Sequence, residues 1–161
     1  MRRAVTLLAV FAVLSVAGVA IGAGPLTGNI EAWKVLVAGE TGEESFVPAG
    51  EASPRDLIEY RLTYANRGVS AVGTVAITDP VPAGTEYVVR TATQPAAAAV
   101  TFSVDNGRTF HAWPVRVRKV VDGREVWTDA PARMVTHIRW TLNDELEPAE
   151  QVNLSYRAVV R

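Results

Sequence analysis

The chain has 161 residues, a single domain's length, and its 16 basic and 17 acidic side chains leave a formal net charge of −1. That balance excludes the basic footprint of a non-specific nucleic-acid binder, and 48% hydrophobic with 20% charged residues excludes a disordered chain. With no cysteine and only two histidines, disulfides, thiolate chemistry and zinc ribbons are excluded, and neither a metal site nor a cofactor is expected.

Residues 1–23 read as a secretory signal peptide. Met1-Arg2-Arg3 precedes an uncharged apolar run, Ala4 to Ala23, that ends in the small residues Gly18, Ala20, Gly22 and Ala23. The alternative is an uncleaved anchor, because such a run is just long enough to span a bilayer. Gly18, Gly22, Gly24 and Pro25 break its far end, which favours the signal. An exported protein is therefore expected, periplasmic, secreted or at the cell surface, touching a membrane only if the segment is retained.

Residues 24–161 read as one β-domain, because apolar side chains recur there with period two. Trp33, Val35 and Val37 alternate first. Ile58, Tyr60, Leu62 and Tyr64 then share one strand face, with Glu59, Arg61 and Thr63 on the other. Val75 and Ile77 lead to Asp79-Pro-Val-Pro-Ala-Gly84, where Pro82 and Gly84 turn the chain and Asp79 is expected to accept backbone N–H groups. Val115 to Val121 and Arg124 to Trp127 flank Asp122-Gly123 as a hairpin. Ile138, Trp140 and Leu142 alternate, as do Leu154, Tyr156, Ala158 and Val160. The spacing predicts eight or nine short strands in an antiparallel sandwich or barrel.

Two segments carry a family resemblance. Tyr60-Arg-Leu-Thr-Tyr-Ala-Asn-Arg-Gly68 and Val75-Ala-Ile-Thr-Asp-Pro-Val-Pro-Ala-Gly-Thr-Glu-Tyr87 resemble, in order and spacing, the repeat motifs of the DUF11 conserved-repeat domain. The resemblance implies an exported immunoglobulin-like β-sandwich of the adhesin-like, cell-envelope kind, with no enzymatic activity. This chain holds one copy, so it cannot by itself build a repeated stalk. Ser103-Val-Asp-Asn-Gly-Arg-Thr-Phe110 is similar to the Asp-box hairpin of sialidase-type repeats. There Asp105 can accept turn N–H groups, Gly107 can take positive φ and Phe110 can pack beneath.

Candidate chemistry is sparse. No nucleophile elbow, phosphate loop or metalloprotease helix motif is present. Asp79 with Glu86, and the Asp144, Glu145 and Glu147 loop, are the candidate paired carboxylates, and the loop acids read as solvated turn acids. Trp140 shares its strand face with core residues, whereas Trp113 and Trp127 lie near loops. The expected function is therefore a non-catalytic structural or protein-interaction module whose partner is another envelope or surface protein. The alternative is a carbohydrate-binding module that holds a glycan with Trp113 and Trp127.

Overall fold

The computed structural model describes residues 26–39, 41–95 and 98–161. The N-terminal segment read as a signal, and Ala96-Ala97 of the alanine patch, lie outside the described residues.

The described residues form ten strands, eight of them in an antiparallel β-sandwich and β7 and β8 in a separate ribbon: β1 (Leu26–Val37), β2 (Glu44–Pro48), β3 (Leu57–Asn66), β4 (Ala76–Pro80), β5 (Thr85–Tyr87), β6 (Ala98–Ser103), β7 (Arg116–Val121), β8 (Arg124–Asp129), β9 (His137–Leu142) and β10 (Gln151–Val160). The sheets run β2-β1-β3-β10-β5 and β4-β9-β6, and β7 pairs only with β8. One 3-10 turn, Ala132–Met134, is the sole helical element among the described residues.

Alternation decides which side of each strand is dry. Tyr60 on β3 lies opposite Tyr156 on β10, and Leu62 opposite Leu154. On the second sheet Ile77 lies opposite Trp140, and Phe102 opposite Ile138. These side chains meet in one buried cluster between the sheets. Trp140 is fully buried, tilts against Tyr156 with centroids 6.3 Å apart, and donates Nε1–H to the Thr93 carbonyl at 2.8 Å. A buried indole needs such a partner because its N–H cannot be left unpaired without cost.

The sandwich is closed differently at its two ends. At the end where β9 begins and β10 finishes, Trp113 sits edge-on to Tyr87 and Phe102, at 6.3 and 5.6 Å. At the other end the amide of Asn66 is a junction. Its Nδ2 donates to the carbonyls of Ser70 and Leu146, at 2.8 and 2.9 Å, and its Oδ1 accepts from Gly68 N–H at 2.9 Å. Asn66 thus does more than reverse the chain. It ties the end of β3 to the loop that leads into β10, and it is completely buried there.

Trp140→Ala is expected to cost roughly 3–5 kcal/mol, the range for deleting a large aromatic from a packed core. Trp113→Ala is expected to cost less, roughly 2 kcal/mol, because it caps the core from a half-exposed position. Denaturant melts of the two variants check the order.

Candidate functional site

Four places outside routine packing hold polar or exposed groups in a defined geometry. The first lies between the sheets. Asp79 is in β4, pointing inward, and its Oδ2 accepts the Tyr156 hydroxyl at 2.7 Å. Among the described residues no backbone N–H reaches this carboxylate, so its expected role as a turn acceptor is replaced by a bridge from one sheet to the other. The reason is strand parity. Val75, Ile77 and Asp79 alternate on one face, so the acid must follow the apolar residues inward. Burial pushes its pKa up from the usual 3.8 to about 6, and the Tyr156 bond opposes that rise. The turn itself follows. Thr85 N–H and Oγ1 both donate to the Pro82 carbonyl, at 3.1 and 2.7 Å, and Gly84 takes φ +81°.

The second place is the loop 103–110. The Asp105 carboxylate accepts four local hydrogen bonds: from Ser103 Oγ at 2.7 Å, Arg108 N–H at 3.2 Å, and Thr109 N–H and Oγ1 at 2.9 and 2.6 Å. Those hydrogen bonds, the Thr109 hydroxyl first, hold the carboxyl well below the usual carboxylate range. Ser103 Oγ in turn accepts from Gly107 N–H at 2.8 Å, and Gly107 takes φ +79°. The Arg139 guanidinium covers the Phe110 ring at 3.6 Å. Every polar atom named here faces the loop itself, so the array reads as a staple.

Third is the outer face of the five-stranded sheet. Arg157 on β10 grips Glu44 on β2 through two 2.7 Å hydrogen bonds and Glu59 on β3 through Nε at 2.8 Å. Glu59 holds Arg61 at 2.8 Å, and the Arg61 guanidinium lies over Phe46 at 4.5 Å and Trp33 at 5.3 Å. On the same sheet Val35, opposite Phe46 and Leu57, is buried although it belongs to no part of the central cluster. Beside these ion pairs runs a shallow open groove of about 300 Å³ lined by Thr63, Thr93, Asn153 and Ser155. The Thr63 hydroxyl is already bonded to Asn153 Oδ1 at 3.0 Å, and Ser155 N–H to Thr93 Oγ1 at 2.8 Å.

The fourth is the β7–β8 ribbon. Asp122 and Gly123 both take positive φ, +50° and +74°, which matches the twist of a two-residue hairpin turn. Ala130 N–H donates to the Val115 carbonyl at its base, and Val115, Ala130 and Val117 reach the core. Beyond that base, among the described residues, neither strand packs against another strand or helix. Val120 is 65% exposed and Trp127 56%, with Val121 and Val126 also exposed.

The two tryptophans proposed to hold a glycan are therefore separated in role. Trp113 packs its ring on Tyr87 and Phe102. Trp127 stands on the ribbon with the Arg118 guanidinium over it at 5.1 Å. Among the described residues no three acidic or histidine side chains converge as metal ligands would. The chain matches no protein-family model, no curated protein and no solved structure.

Two titrations follow, with opposite signs. Asp79 binds its proton more tightly folded than unfolded, so stability falls as pH rises from about 4 to about 6 and the penalty stays above that. Asp79→Asn keeps an acceptor for Tyr156 and removes the charge. It is expected to raise stability at neutral pH by up to about 3 kcal/mol and to flatten that part of the profile. Asp105 behaves the other way. Its contribution is present above about pH 4 and is lost as acid protonates it, so Asp105→Ala should lower the melting temperature at neutral pH but much less in strong acid. Melting curves of the three proteins across pH check both signs.

Proposed function

We propose that this protein is a non-catalytic, exported β-sandwich that acts by binding another protein at the cell envelope. The observation that carries this reading is the β7–β8 ribbon. An isolated two-stranded hairpin is marginal in water, yet this one stands clear of both sheets and exposes Val120, Val121, Val126 and Trp127. These side chains lie on both faces, Val120 and Trp127 on one and Val121 and Val126 on the other, and exposed apolar surface on a projecting element is what recognition surfaces offer and what a soluble scaffold avoids. Both of its long edges are also unpaired, which leaves backbone donors and acceptors open to an incoming strand. The resemblance to DUF11 repeats and the apolar N-terminal run support export and an immunoglobulin-like fold in the same reading.

The carbohydrate reading draws less support. A sugar-binding platform needs aromatic faces left open side by side, and here Trp113 packs into the sandwich end while Arg118 covers Trp127.

The test is quantitative capture from the cell-envelope fraction with two baits, the wild-type protein and Val121→Ser/Val126→Ser. The variant is expected to melt like the wild type, since both side chains are exposed, and to lose the proteins the wild type retains. Equal capture by both baits, or binding on a glycan array that the double variant keeps, contradicts the proposal.

A further inference from the structure

The two faces of the ribbon differ in charge. Strand alternation puts Val117, Lys119 and Val121 of β7 on one face with Arg124, Val126 and Thr128 of β8, since Lys119 lies opposite Val126 and Val121 opposite Arg124. That face carries two cations and no acid. Glu125 and Asp129 lie on the other face, where Glu125 pairs with Arg118 at 3.3 Å, and Asp122 is in the turn. The ribbon thus offers an apolar strip edged by uncompensated positive charge.

A complementary surface is present on the same chain, at the opposite end of the sandwich. The ribbon springs from the end where β9 begins. The loop joining β9 to β10 lies where β9 finishes, held there by Leu146, whose backbone pairs with Val72 and whose carbonyl accepts from Asn66. With Leu146 buried, Asp144, Glu145, Glu147 and Glu150 all stand exposed around it. Next to them in the 67–74 loop, Val69 is 97% exposed, and Arg67 is the one basic side chain of that loop. Because β10 spans ten residues, about 30 Å of sandwich separates the two surfaces. The ribbon of a molecule therefore cannot fold back on its own acidic loop.

We infer that the cationic apolar face of the ribbon receives the acidic 143–150 loop of a second copy of this chain, head to tail. This rests on the ribbon being the binding surface and names its occupant. Joining one end to the opposite end of the next copy is a heterologous contact. It leaves a free ribbon and a free loop after each addition, so it extends into a chain of molecules or closes into a ring, and does not stop at a two-fold dimer. A face roughly 20 Å long and about 10 Å wide is small for a protein interface, so each contact is weak and reversible. Its strength comes from unlike charges at an exposed surface and is therefore screened by salt.

The experiment is sedimentation velocity on the purified protein as the cell makes it, with two charge-reversed variants. One is Lys119→Glu/Arg124→Glu on the ribbon and the other is Asp144→Lys/Glu145→Lys/Glu147→Lys on the loop. The wild type is expected to grow with concentration at about 0.05 M salt and to revert to monomer at about 0.5 M. Each variant alone is expected to stay monomeric, since its two ends now carry like charge. An equimolar mixture is expected to regain association, because the acidic ribbon of one variant meets the basic loop of the other while the native ends also match. A monomeric wild type overturns the inference, as does a mixture that stays monomeric, or association that the loop variant leaves unchanged. If purified copies do not associate but the ribbon still captures an envelope protein, the occupant is wrong and the binding role stands. If both fail, the binding role falls as well.

Discussion

Tyr156 is the side chain on which the sandwich turns. It sits mid-way along β10, next to the central strand β3 of the larger sheet, stacked on Tyr60 with centroids 5.0 Å apart. Its ring leans on Trp140 and its hydroxyl donates to Asp79, both from the smaller sheet. Apolar burial alone would press the two sheets together without fixing how far one slides over the other, because hydrophobic contact has no direction. A buried phenol bonded to Asp79 at 2.7 Å, with the Pro80 carbonyl beside it at 3.4 Å, does have a direction. Breaking it would leave a polar group unpaired in the core, at a cost of about 1–3 kcal/mol. The carboxylate of Asp79 is the other half of that arrangement, and its raised pKa records the desolvation it accepts in return.

Once the sheets are registered, the rest of the chain divides into what closes the sandwich and what lies outside it. Trp113 and Asn66 close its two ends, one by packing and the other by hydrogen bonds. The ion-pair ladder from Glu44 through Arg157 to Glu59 covers the open face of the large sheet and binds β2, β3 and β10 together. Arg157 and Glu59, opposite each other on the neighbouring strands β10 and β3 at 2.8 Å, favour the native register and penalise a slip that would put like charges opposite. The ribbon takes no part in any of these devices. It costs the molecule exposed apolar surface and gives the core only its base residues, which is why a recognition role fits it better than a structural one.

Much of the fold was legible in the sequence and the candidate site was not. Period-two alternation identified the faces of β3, β9 and β10 residue by residue, because a strand with one wet side leaves that pattern and little else does. Asp122-Gly123 located the ribbon's turn for a similarly local reason. What escaped were pairings between residues far apart in the chain. Asp79 looked like a turn residue beside its prolines, and only the sheet-to-sheet packing brings it to Tyr156, 77 positions away. A signal was available: an inward tyrosine in the middle of a dry strand needs a partner for its hydroxyl. The exposure of the ribbon had none, since Val-Arg-Val-Arg alternation reads the same whether or not another sheet covers it. Short β5 and β2, of three and five residues, also fall below what alternation resolves.

The central claim is that the sandwich is complete without the ribbon, which is held ready for a partner. Native-state hydrogen exchange measures this most directly. Amides of β3, β9 and β10 should exchange only through global unfolding, and those of residues 117–128 through local opening, at least about a hundredfold faster, with the core rates unchanged by denaturant concentrations that abolish ribbon protection. Ribbon amides as slow as those of β10, or a core that loses protection together with the ribbon, would show that β7 and β8 belong to the fold's cooperative unit and contradict the account.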